Sequence, residues 1–222
     1  MLKSIIQSVK RLMPQPTQVD PSRFNDPLAE RTEWTPLKSG GSNFRTHRLV
    51  EPYPGRLEFR ISFWAFFFGG IFLLVGVGIM VAGLAAGIAA GKIGFNLSTF
   101  GPVLLGAIFG GVGGLALWTM TKPTVFDTQS GFYWKGRVGP EVGYGTDQPK
   151  NANYAPLEDI HAIQLISEYC RSDKNSYYSY EMNLVLNDGR RLNVIDHGNC
   201  DSIRRDAQRL SDFLSRPVWD AI

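Results

Sequence analysis

Charge is missing from the middle of this chain. Between Ile61 and Thr121 the only formally charged side chain is Lys92. A helix at the surface of a soluble domain shows a polar stripe, and this stretch has none. Lys92 instead divides two apolar runs, Ile61–Ala90 and Ile93–Thr121. Each is long enough to cross a hydrocarbon core about 30 Å thick, which takes roughly 20 helical residues. The runs also lack Asp, Glu, Arg and His altogether. That counts against an ion path, a proton relay or a charged-substrate site, and so against a transporter.

Cysteine is scarce as well. Cys170 and Cys200 are the only two, too few for a disulfide framework or a zinc site. No P-loop spacing appears, and no Gly-rich loop joins a strand to a helix. We expect no metal, no cofactor and no enzymatic activity.

What is present divides by position. Residues 1–60 carry ten Lys/Arg against six Asp/Glu, and residues 122–222 carry twelve against fourteen. A mildly acidic C-terminal part argues against nucleic acid as a partner, because phosphate neutralisation needs clustered Lys/Arg. Residues 61–121 read as a two-helix transmembrane hairpin, with spans at about 61–88 and 100–120 and a turn near Gly91–Phe100. The first run starts some sixty residues in, which does not fit a cleavable signal peptide. Arg45, Arg48, Arg56 and Arg60 precede the hairpin, and Lys122, Lys135 and Arg137 follow it. The positive-inside rule then expects both termini in the cytoplasm, with Trp64 and Trp118 as interface anchors.

Small residues recur in the spans. Ala82, Ala86 and Ala90 lie four apart, as do Gly83, Gly87 and Gly91, and again Gly106, Gly110 and Gly114. Such rows let helix backbones approach closely. We expect Gly83, Gly87, Gly106, Gly110 and Gly114 to carry helix packing, within the hairpin or against another subunit.

The flanks read differently. Residues 1–13 place Leu2, Ile5, Ile6, Val9, Leu12 and Met13 at helical spacing, predicting a short basic amphipathic helix. Residues 14–60 are rich in proline and polar side chains and predict an irregular cytoplasmic arm. Its apolar residues (Phe24, Leu28, Trp34, Leu37, Phe44, Leu49) are candidate anchors, on a partner or on the C-terminal domain.

Residues 122–222 read as an α+β domain. Strands are expected at 124–128, 132–138, 161–169, 178–186 and 190–196, with a loop over 139–155. Asn187–Asp188–Gly189 is a hairpin signal. An amphipathic helix over 201–215, ended by Pro217, closes the domain. The stretches TVFDTQSGFYWKGR, PLEDIHAIQL, LVLNDGRRLNVIDHG and DSIRRDAQRLSDFL resemble bacterial membrane-anchored PH-like domains, which often follow a two-span hairpin. The layout is also similar to that of the thylakoid photosystem I assembly factor family, without that family's motifs. The resemblance covers roughly residues 61–222. It implies an antiparallel PH-like sheet or barrel closed by a C-terminal helix, with a scaffolding role and no catalytic residue.

Two constellations remain. Asp196, His197 and Cys200 suggest a nucleophile, yet they occupy a strand-to-helix turn where Asn199 or Asp201 serves as N-cap and Gly198 as turn residue. His161 stands at a strand entry without companion ligands. Arg190, Arg191, Arg204, Arg205 and Arg209 are a candidate lipid or partner surface, as are Tyr177, Tyr178 and Tyr180 beside a polar hairpin tip. The expected partners are the bilayer and another membrane protein or complex.

Overall fold

A computed structural model of the chain describes residues 19–91, 97–140, 154–171 and 176–222. The amphipathic helix expected over 1–13 lies outside them, as do most of the 139–155 loop and the tip after Arg171. The described residues form two units. One holds the chain up to Arg45 together with Glu51–Leu57 and Thr124–Ile222, and the other holds Thr46–Val50 and Glu58–Pro123.

The second unit is dominated by two helices, α2 (Phe63–Ala89) and α3 (Leu97–Met120). Ser62 caps α2, its hydroxyl accepting from the Ala65 N–H at 3.3 Å, which satisfies one of the free amides of the first turn. At the far end of α3 the Thr119 and Thr121 hydroxyls donate to the carbonyls of Leu115, Ala116 and Leu117. Both helices are long and apolar enough to cross a membrane, and their most apolar windows are only 17% and 11% buried. A core helix of a soluble protein would be mostly covered.

What α2 does bury is small. Ala65, Gly69, Gly76, Gly83 and Gly87 are its buried residues, and Gly69, Gly76 and Gly83 repeat every seven. On α3 Gly106 and Gly113 are buried, also seven apart. A Cβ at Gly76 would meet the backbone of Gly110 and Gly106. One at Gly106 would lie 2.7 Å from the Met80 nitrogen, and one at Gly113 2.9 Å from the Phe72 carbonyl carbon. Gly83 makes room for the Pro102 ring, whose Cβ an added side chain would approach to 2.7 Å. The packing row expected at 106, 110 and 114 is therefore set at 106, 110 and 113. Seven-residue spacing keeps one seam facing the partner helix, while a strict four-residue row winds away from it. A Cβ at Gly114 would make only an ordinary 3.9 Å contact with Leu73, and Ala82, Ala86 and Ala90 are exposed.

The first unit is sheet-rich and holds most of the strands, the first two being divided between the units. The strands are β1 (His47–Tyr53), β2 (Arg56–Ile61), β3 (Thr124–Asp127), β4 (Phe132–Lys135), β5 (Tyr154–Pro156), β6 (Ile160–Arg171), β7 (Ser176–Leu186), β8 (Arg191–His197) and β9 (Val218–Ala221). They form two sheets, ordered β1-β2-β3-β4-β5 and β8-β7-β6-β9. Neither closes into a barrel. β9 also runs parallel to β6, and the helix α4 (Cys200–Leu214) is not the final element. The expectation of an antiparallel sheet or barrel closed by a C-terminal helix is corrected on these points. The amphipathic pattern of α4 is borne out: Ile203, Ala207 and Leu210 are fully buried, and the Asn199 side chain caps it through the Ser202 N–H at 2.8 Å.

Residues 14–60 are not simply irregular. A 3-10 turn at Pro21–Phe24, the short helix α1 (Pro27–Arg31) and the β1–β2 hairpin lie within them. Asp20 and Asp26 cap the first two, each ahead of a proline whose missing N–H costs nothing there. Phe24, Leu28 and Trp34 pack against Ala162, Val185 and Trp219. Phe24 and Trp34 stack at 5.1 Å, and both lie about 6 Å from the Trp219 ring. The arm thus has an apolar anchor in its own domain.

Candidate functional site

An antiparallel sheet with one solvated face alternates polar and apolar side chains. Cross-strand register places Gln164 opposite Asn183, Glu168 opposite Ser179 and Glu181 opposite Asp196, so one face of the four-stranded sheet carries these polar groups together. A bulge in β8, between the Met182 and Asn183 pairings, inserts Val194 and brings Asn193 and Asp196 onto the same face. Such a face would ordinarily meet water. Here Gln164, Ser179, Glu181 and Asn183 are all at most 2% exposed.

The cover is the arm. Glu181 accepts from the Leu37 and Lys38 amides at 2.9 and 3.0 Å, and from the Asn183 side chain at 2.6 Å. Glu168 accepts from the Gly40 amide at 3.1 and 3.2 Å, with that of Gly41 at 3.5 Å. Gln164 donates to the Glu33 carbonyl, Arg191 to that of Thr35, and the Tyr177 hydroxyl to that of Gly41. Gly40 has φ +76°, a conformation that favours glycine. Gly41 crosses Ser179 so closely that a Cβ would strike its Oγ. Phe44 accepts from the Gly198 amide at 3.1 Å, and Arg45 pairs with Asp206 at 3.1 Å.

Charge is concentrated at this face. Lys135 donates to the Asn193 carbonyl at 2.8 Å and to its side chain at 3.0 Å. Burial, with Lys38 nearby, brings the Lys135 ammonium down to about 8. Burial, reinforced by Glu181, pushes Asp196 up to about 6 against the pull of Lys38 and Lys135. Acid and base are thereby moved toward neutrality from opposite sides, a pattern that marks candidate functional sites.

No protein-family model, curated protein or solved structure matches this chain.

The residues singled out from sequence are distributed as follows. Arg190 pairs with Asp188 at 2.6 Å, Arg191 with Glu33 at 3.3 Å and Arg204 with Asp220 at 2.7 Å, while Arg205 donates to the Ser202 hydroxyl. Arg209 acts on Asp206. Arg191 is committed to the arm, and Arg204 to the β9 end of the sheet. Tyr178 is half-exposed and meets Tyr169 edge-on at 5.2 Å, whereas Tyr177 is engaged by the arm. Tyr180 is partly buried. Trp64 and Trp118 are exposed. His197 is fully buried and its Nδ1 accepts the Asn199 amide at 3.3 Å, which gives it a structural task in the turn before α4. Burial pushes the Cys170 thiol up, away from thiolate character. His161 joins Asp26 at 2.7 Å.

The polar face was not singled out from sequence. Its signal is period-two polarity inside long strands: Gln164 and Glu168 on one, Ser179, Glu181 and Asn183 on the next.

Proposed function

We propose that this chain is a non-enzymatic integral membrane adaptor. In this reading α2 and α3 cross a bacterial or organellar inner membrane as a hairpin, with both termini cytoplasmic. The sheet-rich unit, a PH-like domain, is held at the membrane surface to bind membrane-protein partners or assist their assembly. The observation that carries the reading is the outer surface of the helix pair, where Trp64, Leu74 and Leu115 stand among many exposed apolar side chains. Apolar surface on that scale calls for lipid or protein to cover it. Tethering then raises the effective concentration of a weak binding surface for its membrane partners.

The alternative, an accessory subunit of a transport or secretion complex packed through glycine-rich spans, has less support. Gly76, Gly83, Gly106 and Gly113 already face the other helix of the hairpin. An anionic-lipid sensor has less as well, since Arg190, Arg191 and Arg204 each have a carboxylate partner. Crosslinking in native membranes followed by mass spectrometry tests the adaptor. Stoichiometric protein links through the arm or the sheet-rich unit are expected. Links confined to the helices would favour the accessory subunit, and recovery of lipid alone would sink the adaptor.

A further inference from the structure

We infer that the polar face of the four-stranded sheet is a main-chain-reading cradle for a bent, glycine-containing segment of a partner protein, and that residues 35–44 cover it in cis as a removable strap. The inference deepens the adaptor reading and rests on it. Three observations carry it.

First, the cradle reads backbone. The hydrogen bonds from Arg191, Gln164 and Tyr177 end on arm carbonyls, and those to Glu181 and Glu168 begin at arm amides. The Leu37 and Phe44 side chains point away, 42% and 44% exposed. Any segment that follows the same bent path, with glycine at the positions of Gly40 (φ +76°) and of Gly41 where it crosses Ser179, presents the same groups. This differs from strand addition at a sheet edge, because side chains on a face do the reading.

Second, the strap is an incomplete ligand. Among the described residues Ser179 Oγ and Asn183 Oδ1 are buried without a hydrogen-bond partner, although buried polar groups are nearly always satisfied. The strap sets Lys38 near Lys135, which it repels, and near Asp196, which it attracts. A segment that offers a donor to Asn183 competes favourably.

Third, lifting the strap uncovers polar groups that water solvates. The apolar anchor of Phe24, Leu28 and Trp34 on Trp219 is separate from it and stays in place. The strap is therefore able to open without unfolding its domain.

The test uses the full chain in detergent micelles and a labelled peptide with the sequence of residues 33–45. In the chain, Gly41→Val drives the strap off Ser179. The variant is expected to bind the peptide about tenfold or more tightly than the wild-type chain does, as follows when an intramolecular competitor is removed. A peptide carrying the same Gly41→Val change should bind neither. A variant that keeps native hydrogen-exchange protection in β6 and β7 yet binds no peptide overturns the inference. So does a variant that binds anionic phosphatidylglycerol vesicles in place of the peptide. The wild-type chain gives a second reading that does not depend on the variant's folding. Amide exchange at Leu37, Lys38, Gly40 and Gly41 should outpace that of β6 and β7, and equal rates overturn the strap. Peptide binding without any membrane protein captured by crosslinking would sink the adaptor reading and leave the cradle standing.

Discussion

The helix pair and the arm-covered sheet both bring two stretches of backbone close together, by opposite chemistry. Between α2 and α3 closeness comes from removing side chains, so that glycine faces glycine. Between arm and sheet it comes from side chains that carry the acceptors and donors an irregular backbone needs. The first arrangement has no room for added volume. The second tolerates volume in most places but not the loss of a polar group. A seam of the first kind is permanent, and a cover of the second kind can open.

The sharpest way to break the first side of that comparison is a large residue on the seam. Gly76→Leu or Gly113→Leu sets a side chain against backbone that cannot move aside, and should cost about 3 kcal/mol, read as a lowered thermal transition in detergent. Gly114→Ala, on the four-residue row but off the seam, should stay within about 0.5 kcal/mol. If the two classes behaved alike, the seven-residue seam would be wrong.

Removing an acceptor tests the other side. Glu181→Ala leaves the Leu37 and Lys38 amides and the Asn183 side chain without their carboxylate. A loss of about 3 kcal/mol is expected, measured by urea unfolding, with faster amide exchange at Leu37 and Lys38.

A more moderate effect has the opposite sign. Asp196 has its folded-state pKa raised to about 6, so its contribution to stability is full below about 4 and is lost as pH rises through 6. Lys135, lowered to about 8, contributes fully above about 10 and loses that as pH falls through 8. Between 6 and 8 both are charged at the full cost of burial. Asp196→Asn should therefore stabilise the unit at pH 7.5 by about 2 kcal/mol, after allowance for partial exposure, and should have almost no effect near pH 4. Unfolding midpoints at the two pH values decide it.

The sequence made some of this legible and hid the rest for identifiable reasons. Span length and the near absence of charge located α2 and α3, and alternation with turn residues located β3, β7, β8 and the cap of α4. A four-residue row and a seven-residue row share Gly106 and Gly110, and only the close approach at Gly113 distinguishes them. β9 was missed because four residues after Pro217 carry little pattern, and its place comes from parallel pairing with β6. The order of the arm was hidden for a different reason. Its backbone is satisfied by Gln164 and Glu181, 131 and 144 residues from their arm partners, and no local window contains both sides of such a bond.

That separation has a consequence in time. Ribosomes add on the order of 5–20 residues per second, so the arm emerges roughly ten seconds before the strands that receive it. Both apolar helices are synthesised in that interval. During it Glu168 and Glu181, which accept from the amides of Leu37, Lys38 and Gly40 in the fold, have not yet been made. The sheet that covers those amides is thus the last of the arm's partners to be made.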